Sequence, residues 1–388
     1  MKYDFDKVVE RHNTGSLKWD HCDIYDGIEV LPMWVADMDF ESPGEIIDAM
    51  AERVKHGIFG YTPISESYYE AVIDWMKRRH NWDIRKDWIV TMPGVVPAVS
   101  LAVLAFTEPG DRVVVQSPVY HPFYNNIRDN GRQVVENRLK QKGDRYVMDY
   151  QDLEQQIDDN TRMLILCSPH NPVGRVWEEH ELMRLTEICM EHDILIVSDE
   201  IHSDLILEGY KHIPTAMLSG GVAQNVISCT SASKTFNLAG LGCANIIISN
   251  RDLFNRYNNL CKNLWIEKPN IFGLVATEAG YRHGEEWLEQ LLVYVKRNYD
   301  FLVSTIKDFL PKVSVSPLEG TYLAWLDFRE IGISEKDQEG FLKKNAKVWF
   351  DDGHKFGSGG EGFQRTNLAC PRETLKEGLR RVIDALRK

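Results

Sequence analysis

The chain has 388 residues, enough for a large domain and a smaller one. Its formal charge of −13 argues against binding to nucleic acid or to an anionic membrane surface, since both need a basic face. No basic segment followed by an apolar run opens the chain, and no apolar run is long enough to span a bilayer, so we expect a cytoplasmic protein.

The first 40 residues show no helical periodicity, and they end in the apolar stretch LPMWVADMDF. Ser42 and Glu45 have the spacing of a capping box, so a helix is predicted to begin here and to end near Gly57. The aromatic loop GIFGYTP follows, and its Tyr61 is either packed or presented to a ligand or partner. A second helix is predicted over residues 65–80.

From residue 88 onward, short apolar runs alternate with helical patterns, which is typical of a parallel sheet with crossover helices. The runs predict strands at residues 89–91, 113–116, 163–167, 194–197, 226 onward and 244–249. Helices are predicted after the Pro-Gly turn that follows the first of these strands, after Pro122, and over residues 178–191. A polar, hairpin-like region covers residues 130–150.

After about residue 251 the pattern changes to long helical stretches, through residue 282 and then over residues 285–309. Strands of a second, smaller sheet are predicted at residues 313–315, 321–327 and 347–350, followed by a last helix over residues 371–386. These patterns predict an α/β fold with two domains. The large domain is placed at residues 46–285, and the smaller α+β domain at residues 1–45 and 286–388.

The cysteines form no C-x-x-C motif and no even, regular set. This usage is typical of a reducing cytosol rather than of a disulfide framework or a zinc site. We therefore predict no metal site, and buried thiols at Cys22, Cys167, Cys189, Cys229, Cys243, Cys261 and Cys370.

The stretch VISCTSASKTFNLAGLG, residues 226–242, places Lys234 among small hydroxyl residues at the exit of a strand. A lysine amine there can form a Schiff base with an aldehyde, while Ser231, Ser233 and backbone N–H groups hold a phosphate. Pyridoxal 5'-phosphate carries both groups, so the stretch indicates a site for this cofactor. A solvated lysine in a polar loop is the alternative, since such a short match is common.

Further strand ends carry residues that suit the same cofactor. Asp199 can keep the pyridine nitrogen protonated, and Asn171 can donate to the phenolate oxygen O3'. The helix that opens at Gly94-Val95-Val96 can hold the phosphate, and Tyr120 can stack on the ring. Each residue also has an ordinary role as a cap, turn or packed side chain. Because all of them follow strands of one sheet, we predict that they form one cofactor pocket.

Arg365 lies in the strand-like stretch FQRTN of the smaller domain. Its guanidinium fork suits bidentate capture of a substrate α-carboxylate. A surface ion pair is the more frequent role of a single arginine and is the alternative here.

Six stretches of the chain resemble the MalY/PatB type of carbon–sulfur β-lyase, within the fold-type I enzymes of the aspartate-aminotransferase superfamily: MWVADMDF, GIFGYT, SPHNPVGR, VSDEIHSDL, SKTFNLAGL and GGEGFQRTN. The resemblance covers essentially the whole chain. It implies a PLP-dependent transferase fold whose large domain has a mainly parallel, seven-stranded sheet. It also implies cleavage of L-cystathionine, L-cysteine or a related S-substituted cysteine to a thiol, pyruvate and ammonia, by a homodimer with shared active sites.

The resemblance also implies roles for individual residues. Lys234, Tyr120 and Asp199 would be catalytic. The cofactor would be bound by Tyr61, Gly94, Val95, Val96, Tyr120, Asn171, Asp199, His202, Ser231, Ser233 and Lys234. The substrate would be bound by Asp37, Tyr61, Asn171 and Arg365, with Tyr61 reaching the cofactor of the neighbouring subunit.

Two positions depart from ordinary aminotransferases. Gly242 stands where an arginine that binds the phosphate is usual, and His202 stands where a tyrosine is common. Both departures resemble the β-lyase branch and count against transamination. An aminotransferase and a regulatory protein of the same fold are the alternatives that the sequence leaves open.

Overall fold

The computed structural model describes residues 2–20, 24–25, 27–266 and 269–387. Cys22, one of the predicted buried thiols, lies outside these residues, and the six cysteines within them are buried. No helix in the described ranges is long and apolar enough to cross a membrane. The same ranges contain no group of three or more His, Cys, Asp or Glu side chains that could hold a metal ion.

The N-terminal part carries short strands and two helices: β1 (Ile24–Tyr25), β2 (Ile28–Glu29), β3 (Leu31–Pro32), α1 (Gly44–His56) and α2 (Glu66–His80). Both helices are confirmed, and Gly57 ends α1 in the left-handed conformation that favours glycine. The predicted capping box of α1 is wrong. Pro43 is the N-cap, because the hydroxyl of Ser42 instead donates to the carbonyl of Phe236 at 2.9 Å.

The middle of the chain alternates strands and helices. Its strands are β4 (Ile89–Met92), β5 (Arg112–Val115), β6 (Gln133–Glu136), β7 (Lys140–Lys142), β8 (Arg145–Val147), β9 (Thr161–Cys167), β10 (Leu195–Asp199), β11 (Val226–Thr230) and β12 (Ala244–Ile247). Its helices are α3 (Val95–Phe106), α4 (Pro122–Arg128), α5 (Tyr150–Gln156), α6 (Glu179–Glu191), α7 (Gly220–Ala223) and α8 (Ala232–Thr235). Strands β7 and β8 form the predicted hairpin, whereas β6 was not predicted.

Seven of these strands form one sheet in the order β4-β12-β11-β10-β9-β5-β6. Strand β12 runs antiparallel to both of its neighbours, and the other six strands point the same way. The prediction of a mainly parallel, seven-stranded sheet is therefore confirmed. Because six strands share one direction, the residues that follow their carboxyl ends meet at the same edge of the sheet.

Both faces of the large sheet are buried. Side chains alternate along β9, so that Leu164 and Leu166 belong to the hydrophobic cluster that includes α6. Met163 and Ile165 belong to the cluster on the other side, which includes α3. Strands that are buried on both faces consist of continuous apolar residues, and this is why they could be predicted from short apolar runs.

The C-terminal part contains a second sheet and long helices. Its helices are α9 (Arg251–Asn263), α10 (Ile271–His283), α11 (Glu285–Phe309), α12 (Glu335–Phe341) and α13 (Arg372–Leu386). Its strands are β13 (Ser314–Val315), β14 (Leu323–Asp327), β15 (Val348–Trp349), β16 (Asp351–Asp352) and β17 (Phe363–Asn367). Four of them form an antiparallel sheet in the order β13-β14-β17-β16.

The prediction that residues 347–350 belong to this second sheet is wrong. Strand β15 instead pairs in parallel with β3 from the N-terminal part. A two-residue strand has no hydrophobic period from which a partner could be inferred. The pairing links the N-terminal and C-terminal parts of the chain, as the proposed division into residues 46–285 and a smaller domain of residues 1–45 and 286–388 requires.

Candidate active site

Lys234 lies on α8, the four-residue helix that follows β11. Ser231 caps this helix by accepting a hydrogen bond from the N–H of Ser233 at 3.0 Å. The Nζ atom of Lys234 donates to the carbonyl oxygen of Ala36 at 2.7 Å. Burial and the positive charge of Arg365 lower the pKa of Lys234 to about 8, so an uncharged, nucleophilic amine is accessible near neutral pH.

A cavity of about 190 Å³ lies beside Lys234, where the loops that follow the parallel strands meet. Nine of the eleven predicted cofactor-binding residues line it: Gly94, Val95, Val96, Tyr120, Asn171, Asp199, His202, Ser233 and Lys234. These residues lie at or after the ends of β4, β5, β9, β10 and β11. The structure therefore brings these strand ends together at one cavity, and the role of the cavity as a cofactor pocket stays a prediction.

Three ionisable side chains of the cavity have displaced pKa values. Burial raises the pKa of Asp199 to about 7, and Oδ1 of this residue accepts a hydrogen bond from the N–H of Ile201 at 3.1 Å. Burial, with the charge of Lys234, lowers the pKa of His202 well below its usual value, so its imidazole is neutral. Burial raises the pKa of Tyr120 to about 12, so its phenol keeps its proton. The cavity therefore favours the uncharged forms of these groups.

The amino end of α3 faces the cavity through Gly94, Val95 and Val96. No side chain in the described part of the chain caps this helix, so the N–H groups of its first turn are available to a ligand. These N–H groups and the helix dipole suit a phosphate.

Gly242 also lines the cavity, at the position where aminotransferases usually have an arginine. Its φ is +53°, a conformation that favours glycine, and a Cβ atom there would lie 2.9 Å from the carbonyl oxygen of Pro93. A longer side chain at this position therefore requires the backbone to move. The geometry leaves phosphate binding to backbone N–H and hydroxyl groups.

Arg365 lies on β17 and is buried. Its Nη1 donates to Oδ1 of Asn171 at 2.9 Å, which connects it to the cavity. Its Nη2 donates to the carbonyl of Trp34 at 2.9 Å and to Oδ2 of Asp351 at 2.6 Å, and the guanidinium lies 4.9 Å from the ring centre of Phe356. The Nε–H group is buried and has no hydrogen-bond partner among the residues that the structure describes. A carboxylate ligand would satisfy this donor.

Four predicted site residues lie outside the cavity lining. One is Arg365, and the others are Ser231, Asp37 and Tyr61. The hydroxyl of Ser231 donates to the carbonyl of Cys243 at 2.6 Å. The carboxylate of Asp37 pairs with Arg11 at 2.8 Å. The side chain of Tyr61 is fully exposed in the loop between α1 and α2, as a role in a neighbouring subunit requires.

The structure adds groups that the sequence did not indicate. The carbonyl oxygen of Ala36 accepts from Lys234 and also from the hydroxyl of Tyr322, at 2.8 Å. A backbone carbonyl has no signature in a sequence. Asp351, the ionic partner of Arg365, lies in a two-residue strand, where no periodicity could identify it.

Residues 29–382 match the family described as aminotransferase class I and II. Cystathionine beta-lyase PatB of Bacillus subtilis (strain 168) is 44% identical over 384 residues, which cover 98% of this chain and 99% of PatB. Protein MalY of Escherichia coli (strain K12) is 33% identical over 389 residues, which cover 99% of each chain.

Solved structures have the same fold over the whole chain. Cystalysin from Treponema denticola, which contains a pyridoxal 5'-phosphate cofactor, has a TM-score of 0.96 at 40% identity and covers 100% of this chain and 99% of its own. The PLP-bound C-S lyase from Staphylococcus hominis has a TM-score of 0.93 at 34% identity and covers 100% of this chain and 98% of its own. The chain therefore belongs to the aminotransferase class I and II family, in the branch that contains PatB and MalY.

Proposed function

We propose that this protein is a PLP-dependent carbon–sulfur β-lyase. It cleaves L-cystathionine, L-cysteine or a related S-substituted cysteine by α,β-elimination and releases a thiol or hydrogen sulfide, pyruvate and ammonia. The observation that carries the proposal is the enclosed amine of Lys234 in one cavity with the buried carboxyl of Asp199. The similarity to a cystathionine beta-lyase, 44% over nearly the whole chain, supports the choice of reaction.

The residues of the cavity fit pyridoxal 5'-phosphate. Lys234 supplies the amine that would bind the aldehyde, and the N–H groups of Val95 and Val96, with Ser233, would hold the phosphate. The carboxylate of Asp199 would accept a hydrogen bond from the protonated ring nitrogen and keep it charged. The raised pKa of Asp199 indicates that burial outweighs the charge of Lys234, so a second cationic partner would stabilise this carboxylate. When bound, the cofactor takes up the electron pair left at Cα of the substrate.

The remaining cavity residues would complete the cofactor site. Asn171 and the neutral imidazole of His202 would lie toward the phenolate oxygen O3', and the ring of Tyr120 would stack on the pyridine. The hydroxyl of Ser231 would support the phosphate by ordering the N–H of Ser233, to which it is hydrogen-bonded.

The base of the reaction is the Nζ atom of Lys234. With a pKa of about 8, a fraction of this amine is uncharged at neutral pH, and that form can remove a proton from Cα of the substrate. The phenol of Tyr120 keeps its own proton, and the lowered pKa of His202 makes its imidazole a weak base. Neither group therefore competes with Lys234 for the proton at Cα. The carbonyl of Ala36, 2.7 Å from Nζ, holds the amine at the cavity.

Arg365 binds the α-carboxylate of the substrate, with Asn171 beside it. Asp37 is the further substrate-binding residue that we propose. No arginine lines the cavity in the described residues, so a second carboxylate, as in the usual dicarboxylate substrates of aminotransferases, would have no such partner there. This counts against a substrate whose side chain ends in a carboxylate alone, whereas the distal carboxylate of L-cystathionine is accompanied by its own ammonium group.

The function is tested by supplying purified protein with L-cystathionine or L-cysteine and measuring pyruvate. We expect pyruvate release and negligible formation of glutamate when 2-oxoglutarate is added. Arg365→Lys keeps the charge that Asp351 needs but removes the fork, and we expect kcat/KM to fall by roughly tenfold or more with the cofactor absorbance unchanged.

Arg329→Lys is the matched control for this substitution. Arg329 also pairs with a carboxylate, that of Asp327 at 2.6 Å, and lies 4.6 Å from the ring centre of Phe363. Its replacement should leave kcat/KM unchanged. Glutamate formation that keeps pace with pyruvate release would contradict the lyase and favour the aminotransferase.

The partner that we propose is a second copy of this chain. The loop between α1 and α2 exposes Ile58, Phe59 and Tyr61, and Trp265 after α9 is also exposed. An association through these side chains would remove apolar surface from water and bring Tyr61 to a neighbouring cofactor site. A reducing cytosol is the compartment that we propose, since the thiols of five described cysteines are buried and free: Cys167, Cys189, Cys229, Cys243 and Cys370.

A further inference from the structure

Residues 34–38, here named the strap, form an irregular segment that contacts both Lys234 and strand β17. Every carbonyl oxygen of the strap accepts a hydrogen bond from a side chain. The donors include Arg365, Asn367, Lys234 and Asn237. Irregular surface segments commonly leave such groups to water, so side-chain donors at all five carbonyls fix the strap in one position.

Two of these hydrogen bonds hold the residues on which the reaction depends. The carbonyl of Ala36 accepts from Nζ of Lys234 at 2.7 Å, and the carbonyl of Trp34 accepts from Nη2 of Arg365 at 2.9 Å. The base and the carboxylate anchor are thus attached to positions two residues apart on one segment. A displacement of the strap would move both of them.

Two asparagines hold the strap from opposite sides. Asn237, three residues after Lys234, donates to the carbonyls of Met38 and Phe40 at 3.0 and 3.2 Å and accepts from the N–H of Met38 at 2.9 Å. Asn367, two residues after Arg365, donates to the carbonyls at positions 35 and 37 at 2.7 and 2.5 Å. These two asparagines belong to the stretches SKTFNLAGL and GGEGFQRTN. The proposed reaction assigns no role to either of them.

The outer side of the strap is fixed by charge. Arg11 pairs with Asp37 and with Asp39, at 2.8 and 2.7 Å, and also donates to the carbonyl of Met38 at 3.1 Å. The buried Lys18 pairs with Asp39 at 2.6 Å, and these two cations hold the pKa of Asp39 below its usual value in spite of burial. The strap is therefore held on both sides, as a rigid positioning element requires.

We propose that the strap sets the geometry between Lys234 and Arg365, and that Asn237 and Asn367 are positioning residues that hold it. The inference rests on the proposed function, since it assigns Lys234 as the base and Arg365 as the anchor. Neither asparagine lines the cavity, so both act through the strap. Loss of either one is expected to loosen a single segment and to disturb both catalytic partners.

The test compares the cofactor-bound enzyme with Asn237→Ala, Asn367→Ala and the double variant. Inhibition by 3-(methylthio)propanoate, a carboxylate without an amine, reports on Arg365. The acidic limb of the kcat–pH profile reports on Lys234, and it should move to lower pH when the carbonyl of Ala36 no longer stabilises the charged amine.

We expect each single variant to change both readouts and to lower kcat/KM by about tenfold or more. The kcat/KM of the double variant should lie within about threefold of the kcat/KM of the less active single variant. The reason is that one substitution already loosens the strap, so the loss of the second asparagine has little further effect. The proposal would be overturned if the losses in kcat/KM were additive in the double variant. It would also be overturned if Asn237→Ala changed only the Lys234 readout and Asn367→Ala changed only the Arg365 readout.

Asn298→Ala is the matched control. Asn298 is fully buried, and its Nδ2 also donates to two backbone carbonyls, those of Leu368 and Cys370, both at 2.9 Å, without touching the strap. This variant should lower the unfolding temperature and leave both readouts unchanged. If it shifts them as strongly as the strap variants do, the effect is one of general destabilisation and the proposal is wrong.

Tyr322→Phe provides a second route if the alanine variants do not fold, because it removes only the hydroxyl that donates to the carbonyl of Ala36. We expect it to lower kcat/KM and to shift the Lys234 readout, and an unchanged profile would count against the strap. Calorimetric binding of 3-(methylthio)propanoate and the pH midpoint of the cofactor absorbance need no turnover. If wild-type protein released no pyruvate, the proposed function would fail while these two measurements still tested the strap.

Discussion

Asp199 and Glu200 are adjacent and equally buried, yet their pKa values move in opposite directions. Burial raises the pKa of Asp199 to about 7. Burial acts on Glu200 as well, but the pairing with His212 and hydrogen bonds from Ser198 and the N–H of Thr215 outweigh it and lower the pKa of Glu200. The protein satisfies one carboxylate and leaves the other for a ligand.

The raised pKa of Asp199 predicts that cofactor-free protein loses stability as the pH rises. Well below the unfolded pKa, at about pH 3 and lower, its carboxyl is mostly protonated in both the folded and the unfolded chain, so the penalty is absent. Between about pH 4 and pH 7 the unfolded chain releases the proton while the folded chain keeps it, and above that range the penalty reaches roughly 4 kcal/mol. Cofactor-free Asp199→Asn should therefore be more stable than cofactor-free wild type at about pH 8, but not at about pH 3, in urea unfolding.

Glu200→Gln is the control for this prediction, and its expected effect on stability at pH 8 has the opposite sign. The carboxylate of wild-type Glu200 contributes stability above its unfolded pKa, and that stability is lost as the pH falls through the lowered folded pKa. The substitution should therefore destabilise the cofactor-free protein at pH 8. A loss of stability at pH 8 in Asp199→Asn as well would show that the charge of Asp199 already has a partner in the protein.

At the scale of an element, the turn that ends at Gly242 determines which phosphate ligands the cavity can have. Gly242→Ala places a Cβ atom 2.9 Å from the carbonyl oxygen of Pro93, at a φ of +53°. We expect it to lower the free energy of unfolding by about 1–3 kcal/mol and to weaken cofactor binding, because Pro93 precedes the amino end of α3. Urea unfolding and cofactor titration measure the two effects.

Gly240→Ala is the matched control, two residues away in the same turn. A Cβ atom there meets nothing within 4 Å. This variant should bind the cofactor as the wild type does. If Gly242→Ala bound it equally well, the close approach to Pro93 would not restrict this position.

The elements and the site were predictable to different degrees. Residues 163–167 were predicted as a strand and β9 is Thr161–Cys167, because burial on both faces makes the strand a continuous apolar run. Lys234 and Asp199 could be assigned because their chemistry is in side chains at strand ends. The hydrogen bond from Ser42 to the carbonyl of Phe236 and the hydrogen bonds to the five carbonyls of the strap could not be predicted. These bonds join segments that are distant in sequence, and they use backbone carbonyl oxygens, which every residue has.

At the scale of the whole molecule, Tyr61 is one of the predicted site residues that do not line the cavity. Tyr61 was assigned to both cofactor and substrate, yet its side chain lies fully exposed on the loop between α1 and α2. The nearby ring of Phe59 contacts Phe272 of α10 at a centroid distance of 5.7 Å, so the loop is attached to the rest of the chain beside Tyr61. An exposed aromatic side chain on a loop that is attached in this way suits a contact with a second subunit.

A complementation experiment tests whether Tyr61 acts in the site of a second copy. In the proposed dimer, each site takes Lys234 from one chain and Tyr61 from the other. Mixing Tyr61→Phe subunits with Lys234→Ala subunits gives heterodimers in which one site has both substitutions and the other has neither. We expect each homodimer to release little pyruvate from L-cystathionine and the mixture to recover up to about half the activity of wild type per heterodimer, because one of its two sites is intact.

The controls make this outcome specific to Tyr61. Phe59→Leu on the same loop alters an exposed apolar side chain without removing a hydroxyl, so mixing it with Lys234→Ala should add no more activity than its own subunits supply. Heterodimer formation is verified with two affinity tags before activity is measured. If tagged heterodimers form and no activity returns, Tyr61 acts within its own chain or has no catalytic part, and the shared active site is wrong, whereas the role of Lys234 as the base is unaffected.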